Sequence, residues 1–131
     1  MGCERPPHAT TPADIARAAY LAYARNDRAA IEALIDDNFH FTSPLDNRID
    51  RTTYFERCWS NHERISGFDF IRLVTADDQV LVTYEGRTSD GGGFRNTEIL
   101  TIRAGRIVEA EVYFGWNLTH DASEGGFVAS A

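Results

Sequence analysis

The sequence is poor in several residue types that particular classes of protein require. Cys3 and Cys58 are the only cysteines among 131 residues. They are too few for a disulfide framework, so we expect a reducing, cytoplasmic setting. Lysine is absent, and all thirteen Lys or Arg positions are arginine. No apolar run has the length of a membrane span or of a signal-peptide core. The sequence argues against a secreted disulfide scaffold, and no membrane partner is expected.

Positive charge is also in deficit. The formal net charge is −7, whereas a general nucleic-acid binder normally carries a basic surface, so no nucleic-acid partner is expected. The histidines are scattered, and His62 has no second histidine one helical turn away, so no metal site is predicted. Glycines 91–93 are followed by neither a helix nor a lysine, which argues against a P-loop. No cofactor is predicted.

Apolar and aromatic side chains are abundant. Hydrophobic residues make up 43 % of the chain, with eight Phe and five Tyr, a composition typical of a globular fold. The length suits one domain. We therefore predict a single domain over residues 1–131, with flexible ends at 1–10 and 118–131.

Three helices are predicted in the first half of the chain. Each follows a residue suited to cap a helix, namely Thr11, Asp27 and Asp50. A short strand over 39–43 is expected between the second and third helices, ended by a proline and followed by a loop. The third helix is expected to run to Ile65, before a Ser-Gly pair.

The second half predicts four antiparallel strands. They cover 68–75 and 80–88 and then form a long hairpin over 94–116, which turns at Ala104-Gly105. Helices segregated on one side of a curved, mainly antiparallel sheet define an α+β domain, with a pocket expected between the two layers. Alternation in the last strand predicts one inward, almost wholly apolar row: Val108, Ala110, Val112, Phe114 and Trp116.

Glu98 is the main functional candidate. Alternation places it on the inward face beside Leu100, where a carboxylate is costly unless it is protonated, paired or facing a cavity. Desolvation would raise its pKa and make it a candidate catalytic proton donor, with Asn96 on the same face orienting a ligand oxygen. The alternative is a structural carboxylate bonded to a buried tyrosine or backbone donor.

Further residues are expected to line the pocket and contact a ligand. For Tyr20 and Tyr84, pocket lining and simple core packing are equally open interpretations, whereas core packing is favoured for Trp59. The full predicted ligand-binding set is Tyr20, Phe41, Ser43, Trp59, Val82, Tyr84, Asn96, Phe114 and Trp116.

The order of elements resembles the NTF2-like superfamily, the cone-shaped α+β fold of nuclear transport factor 2, ketosteroid isomerase and the SnoaL-like polyketide cyclases. Three stretches carry the resemblance: AYLAYARNDRAAIEALIDDNFHFTSP, VLVTYEGRT and NTEILTIRAGRIVEAEVYFG. It implies three N-terminal helices packed on a curved, mainly antiparallel sheet, with an apolar pocket for a small organic molecule.

The resemblance to ketosteroid isomerase also implies residue roles. At the position of that enzyme's Asp base, before a proline, this chain has Ser43, and at the position of its protonated oxyanion-donor Asp it has Glu98. The family's oxyanion Tyr falls nearest Ala19, beside Tyr20. A serine hydroxyl cannot replace the carboxylate base, which argues against steroid isomerisation. Asp46 is an alternative catalytic carboxylate, unless it is only a turn residue.

We therefore predict a small-molecule-binding protein with an apolar, acid-lined pocket. As an enzyme it would carry out cofactor-free isomerisation, cyclisation or dehydration by proton transfer. The alternative is a non-catalytic ligand-binding or dimerisation module. The family commonly dimerises through the outer sheet face, which implies a homodimer here. That face is predicted to present Leu81, Thr83, Ile99, Thr101, Ile107 and Tyr113.

Overall fold

The computed structural model describes residues 11–122, without the side chains of residues 61 and 62. The predicted flexible ends lie outside these residues, except for 118–122. The elements in chain order are α1 (Pro12–Ala24), α2 (Arg28–Leu34), β1 (Ile35–Ser43), β2 (Asp46–Asp50), α3 (Arg51–Cys58), a 3₁₀ helix (Trp59–Arg64), β3 (Ile65–Ala76), β4 (Gln79–Thr88), β5 (Gly93–Arg103) and β6 (Arg106–Leu118).

All three predicted helix caps are confirmed. The side chains of Thr11, Asp27 and Asp50 each accept a hydrogen bond from the backbone N–H three residues later, at 3.1, 3.1 and 2.9 Å. Each bond satisfies a donor that the first turn of a helix leaves free. The predicted length of the third helix is wrong, since α3 ends at Cys58 and continues as a 3₁₀ helix. Poor helix formers, Ser60 and Asn61, follow at that point.

Six strands form one open, mixed sheet in the order β2-β1-β6-β5-β4-β3. Within residues 11–122, only the β1–β6 pair is parallel, so the predicted α+β class and the four long antiparallel strands are confirmed. The predicted loop after the first strand is wrong, because Asp46–Asp50 is β2 and pairs with β1 through Phe41 with Ile49 and Ser43 with Asp46. A five-residue polar edge strand carries no clear alternation, and its pairing with β1 defines it.

The predicted tight turn of the final hairpin is confirmed. Ala104 and Gly105 have φ angles of 52° and 78°, as the two central residues of a type I′ turn require. Such a turn matches the right-handed twist of the flanking strands. It fixes the register of β5 against β6 near the turn, where Arg103 pairs with Arg106.

Two bulges in β6 correct the predicted apolar row. Ile102 pairs with Ile107 but Thr101 pairs with Glu109, so Val108 is an extra residue. A bulge reverses the alternation, and Ile107 is therefore buried, at 3 % exposure, instead of lying on the outer face as predicted.

The second bulge lies at Gly115. Arg95 pairs with Trp116 while Asn96 pairs with Phe114, so the alternation reverses again. Trp116 therefore lies on the outer face beside the Arg95 guanidinium, which is 5.7 Å from its ring. The prediction that Trp116 lies in the inward row and lines the pocket is wrong, whereas Ala110, Val112 and Phe114 do face inward.

The core lies between the helices and the inner sheet face. Phe39, Val80 and Val82 are its largest fully buried side chains. Aromatic rings join the two layers: the Tyr20 ring of α1 packs edge-on against Phe68 and Phe70 of β3, with centroids 5.3 and 5.4 Å away. Within residues 11–122, none of the helices is both long and apolar enough to cross a membrane.

Candidate functional site

A cavity of about 650 Å³ lies between the helices and the inner face of the sheet. Most of its wall is aromatic or aliphatic, and it opens where lining residues are exposed, at Leu45, Arg64, Asp90 and Phe114. The aromatic lining residues are Tyr20, Tyr23, Phe39, Phe41, Tyr54, Phe68, Tyr84, Phe94 and Phe114.

Glu98 lines this cavity together with two tyrosines. The Tyr84 hydroxyl donates to Glu98 Oε2 at 2.8 Å. Desolvation raises the pKa of Glu98 above its ordinary value, and the Tyr84 hydrogen bond, together with the nearby Tyr20 hydroxyl, offsets that rise only in part. Burial, followed by the proximity of Glu98, raises the pKa of both phenols. Two phenols therefore lie beside a carboxyl group whose pKa is raised by burial.

Tyr20 and Tyr84 differ in their contacts. Tyr20 Oη is buried and has no hydrogen-bond partner among the described residues, although it is near enough to Glu98 for each to shift the pKa of the other. Tyr84 Oη in addition accepts from Asn96 Nδ2 at 3.4 Å. Tyr20 Oη is thus buried behind its own ring, and the residue forms part of the cavity wall.

One cross-strand row connects Glu98 with Asp46. Glu98 on β5 faces Val112 on β6, the parallel register continued by one residue places Ser43 of β1 beside Val112, and Ser43 pairs with Asp46 of β2. Neighbouring strands lie about 4.8 Å apart, so the backbones at Ser43 and Glu98 are about 10 Å apart. The row thus has the carboxyl groups of Glu98 and Asp46 at its two ends, with Val112 between them.

Asp46 is held at the cavity wall by two partners. Its Oδ2 accepts from Ser43 Oγ at 2.9 Å, and its Oδ1 forms an ion pair with Arg57 Nη2 at 2.8 Å. The Asp46 side chain is only 9 % exposed, whereas that of Arg57 is 54 % exposed. A buried carboxylate needs such pairing. The residue therefore presents a fixed, acceptor-rich group at the edge of the cavity.

The Cys58 thiol also lines the cavity but is not poised as a nucleophile. Burial, and then the proximity of Asp46, raise the pKa of Cys58 to about 11. The reactive form of cysteine is the thiolate, which is scarce near neutral pH at such a pKa. Among the described residues, no three His, Cys, Asp or Glu side chains are grouped as a metal site would require.

The structure brings eight of the eleven predicted site residues to the cavity. Two predicted ligand-binding residues are core instead: Trp59 is 9 % exposed and Val82 is fully buried, and neither lines the cavity. Trp116 is on the outer face. The residues that do line it are Tyr20, Phe41, Ser43, Asp46, Tyr84, Asn96, Glu98 and Phe114.

Several wall residues were not predicted from the sequence, including Tyr23, Tyr54 and Phe94. For Phe94 a signal existed. A glycine within a strand often marks a close approach, and a Cβ on Gly86 would lie 2.4 Å from the Phe94 ring. The ring thus lies over Gly86 and completes the wall. Tyr23 is fixed by its hydroxyl, which donates to the Cys58 carbonyl at 3.0 Å.

Comparison with known proteins identifies relatives of this architecture. The model of the SnoaL-like domain family matches residues 16–110. No curated protein matches the chain. Among solved structures, an NTF2-like protein of unknown function from Burkholderia xenovorans LB400 is 20 % identical with a TM-score of 0.70, covering 92 % of each chain.

Two further solved structures carry names that suggest an activity. A candidate ketosteroid isomerase from Kribbella flavida DSM 17836 is 12 % identical with a TM-score of 0.70, covering 88 % of this chain and 85 % of that one. A candidate polyketide cyclase from Sinorhizobium meliloti is 20 % identical with a TM-score of 0.64, covering 76 % and 93 %. Likeness at these identities shows the fold alone, and the predicted NTF2-like fold is confirmed.

Proposed function

Because the chain belongs to the SnoaL-like domain family, we propose that it binds a small, largely apolar organic molecule in this cavity and carries out cofactor-free proton transfer on it. The observation that carries the proposal is a buried carboxyl group, hydrogen-bonded by a phenol and with its pKa raised by desolvation, in a cavity whose wall is mostly aromatic and aliphatic. A group of this kind stabilises negative charge that develops on a ligand oxygen.

Glu98 and Asp46 take opposite roles in the proposed step. Protonated Glu98 donates a hydrogen bond to a ligand carbonyl oxygen. The Asp46 carboxylate accepts a proton from a neighbouring carbon, so that the C–H bonding pair moves toward the oxygen and leaves an enol or enolate. Return of the proton to another carbon completes an isomerisation. Three strand spacings separate the backbones of Asp46 and Glu98 in this row, about 14 Å in all, which leaves room for both side chains to reach a ligand between them.

A binding protein without chemistry is the second candidate. It is favoured by the state of Asp46, whose two oxygens are already engaged by Ser43 and Arg57. A general base must reach the proton that it abstracts, and a carboxylate held by two partners is less free to turn toward a ligand. In this case the cavity would hold its ligand through apolar contact and the Glu98 donor alone.

A thermal-shift screen tests the binding claim. The panel contains steroids, aromatic polyketides, small terpenoid epoxides and short fatty acids, because a ligand that binds only the folded state raises the melting temperature. We expect one chemical class to stabilise the protein, less so in Glu98→Gln. The matched control, Glu111→Gln, removes a carboxylate from the outer face of β6. No shift with any class, or a shift that Glu98→Gln leaves unchanged, would contradict the proposal.

Turnover assays on the stabilising compounds then separate the two candidates. For an enzyme, Asp46→Asn should abolish product formation while the compound still raises the melting temperature. For a binding protein, the wild type should return every compound unchanged.

The outer sheet face is the proposed dimer interface. It exposes Leu81 and Tyr113, at 36 % and 54 %, together with Trp116 at 45 %. An apolar face of this kind suits a two-fold contact. Sedimentation should give a dimer that Leu81→Glu converts to monomer; a monomeric wild type would contradict the proposal.

A further inference from the structure

Asn96 stands at the start of a chain of hydrogen bonds that ends on Glu98. Its Oδ1 accepts from the backbone N–H of Gly115 at 3.2 Å. Its Nδ2 donates to Tyr84 Oη at 3.4 Å, and Tyr84 in turn donates to Glu98 Oε2 at 2.8 Å. The chain crosses from β6 through β5 to β4 and returns to β5.

The chemistry of these groups fixes the direction of every bond. A backbone N–H can only donate, so the carbonyl oxygen of the Asn96 amide must face Gly115 and its NH₂ must face Tyr84. A phenol carries one proton. Because Tyr84 Oη receives the Asn96 N–H, its own proton is directed to Glu98.

Gly115 can occupy its position because it has no side chain. A Cβ there would lie 2.2 Å from the carbonyl oxygen of Arg95, so the bulge at this point requires glycine. The same bulge turns the Gly115 N–H toward Asn96. The bulge that places Trp116 outside the cavity therefore also fixes the Asn96 amide.

We propose that Asn96 is a positioning residue, which holds Tyr84 as a donor to Glu98 Oε2 and so assigns the Glu98 proton to Oε1. The carbonyl oxygen of a carboxylic acid is a better acceptor than its hydroxyl, so Oε2 takes the Tyr84 bond and the acid donates from Oε1. Glu98 then selects ligands that place an acceptor oxygen at Oε1, such as a ketone, over counterparts of the same shape that lack this oxygen. This selectivity rests on the proposed function, whereas the positioning role does not.

The titratable groups around Glu98 are phenols. Tyr20 and Tyr84 contact it or lie beside it, and Tyr23 and Tyr54 are near enough to be influenced by it. Burial raises the pKa of each of these four phenols, so they stay neutral around pH 7. Below the range in which these phenols ionise, the titration of Glu98 therefore reports on its hydrogen bonds and not on a neighbouring ionisation.

Carbon-13 NMR of protein labelled at the glutamate carboxyls tests the positioning role, with Glu98→Gln used to assign the signal. In Asn96→Leu the pKa of Glu98 should rise, because the Tyr84 hydroxyl is no longer held as a donor and can accept from the acid. Tyr84→Phe should also raise it. Adding Asn96→Leu to Tyr84→Phe should then produce no further rise, since Asn96 acts through that hydroxyl.

Asn117→Leu is the matched control, because Asn117 lines the cavity and makes no side-chain hydrogen bond among residues 11–122; it should leave the titration unchanged. An unchanged Glu98 pKa in Asn96→Leu would overturn the proposal, as would an equal rise with and without the Tyr84 hydroxyl. If Asn96→Leu does not fold, the smaller Asn96→Ala replaces it, because it also removes the amide and adds no charge. Its effect should again be larger when Tyr84 is present.

A matched pair of probes tests the ligand preference. At a pH below the measured pKa of Glu98, the wild type should bind 2-acetonaphthone about tenfold more tightly than 2-isopropenylnaphthalene, in which a CH₂ group replaces the carbonyl oxygen, because one hydrogen bond typically has an effect of this size. Asn96→Leu should lose this preference. Equal binding of both probes by the wild type would overturn the selectivity. Failure of both to bind counts against the proposed function, while the titration still decides the role of Asn96.

Discussion

Replacement of Glu98 by glutamine should change how the stability of the protein depends on pH. Desolvation holds the pKa of Glu98 above its value in the unfolded chain, which is about 4.3. Between the two pKa values the folded state keeps a proton that the unfolded state has lost. Wild-type stability therefore falls with rising pH in this window, by up to about 1.4 kcal/mol per pH unit. The stability that protonated Glu98 adds to the folded state is fully present below the pKa of the unfolded chain. It is lost as the pH rises through the pKa of the folded protein.

Glutamine has nearly the same shape and does not titrate. Its carbonyl oxygen can accept the Tyr84 bond at the position of Glu98 Oε2. The unfolding free energy of Glu98→Gln minus that of the wild type should therefore increase through the window and be level on both sides of it. For a chain of this size, 1 kcal/mol corresponds to about 4 °C in melting temperature.

Urea unfolding of both proteins at half-unit steps from about pH 4 to 8 measures this difference. Glu111→Gln, which removes a carboxylate from the outer face, should show no such rise. A difference in unfolding free energy between Glu98→Gln and the wild type that does not depend on pH would mean that folding leaves the pKa of Glu98 unchanged, against the prediction. A difference that falls with rising pH would mean that the folded protein stabilises the carboxylate, which also contradicts the prediction.

Two further predictions concern the rest of the site. Arg57→Gln should lower the unfolding free energy by about 1–3 kcal/mol, because it leaves the buried Asp46 carboxylate without its counter-charge; in denaturant titrations Asp46→Asn should restore most of the loss, and an unaffected Arg57→Gln would contradict the pairing. Phe114→Ala should weaken ligand binding roughly tenfold, because the ring borders the cavity, whereas Trp116→Ala should not; calorimetric affinities that rank the two variants in the opposite order would contradict the bulge assignment.

Local signals predicted much of the fold. The caps at Thr11, Asp27 and Asp50 depend on contacts within four residues, and the turn at Ala104-Gly105 depends on two backbone angles. Glu98 was placed inward correctly because β5 keeps an unbroken alternation around it. Such features are encoded over a few neighbouring residues, which is why sequence reasoning finds them.

Longer-range features were missed for physical reasons. Alternation gives the correct face only until a bulge inserts a residue, and β6 has bulges at Val108 and Gly115. β2 is defined by its pairing with β1, which no pattern within residues 46–50 reveals. The link from Asn96 through Tyr84 to Glu98 depends on the register of β4 against β5. Alternation predicts the sheet face on which a side chain lies, but it does not predict the residue to which that side chain bonds.

Ligand binding by Val112→Phe tests whether the cavity between the helices and the sheet holds the ligand. Val112 is 7 % exposed, lines the cavity and lies between Ser43 and Glu98 in the cross-strand row. A phenylalanine there would occupy the proposed ligand position and leave both carboxyl groups in place. We predict that the variant folds with a cooperative melting transition and that the compounds which stabilise the wild type no longer raise its melting temperature. Equal stabilisation of both proteins would contradict the account, because the ligand would then bind elsewhere.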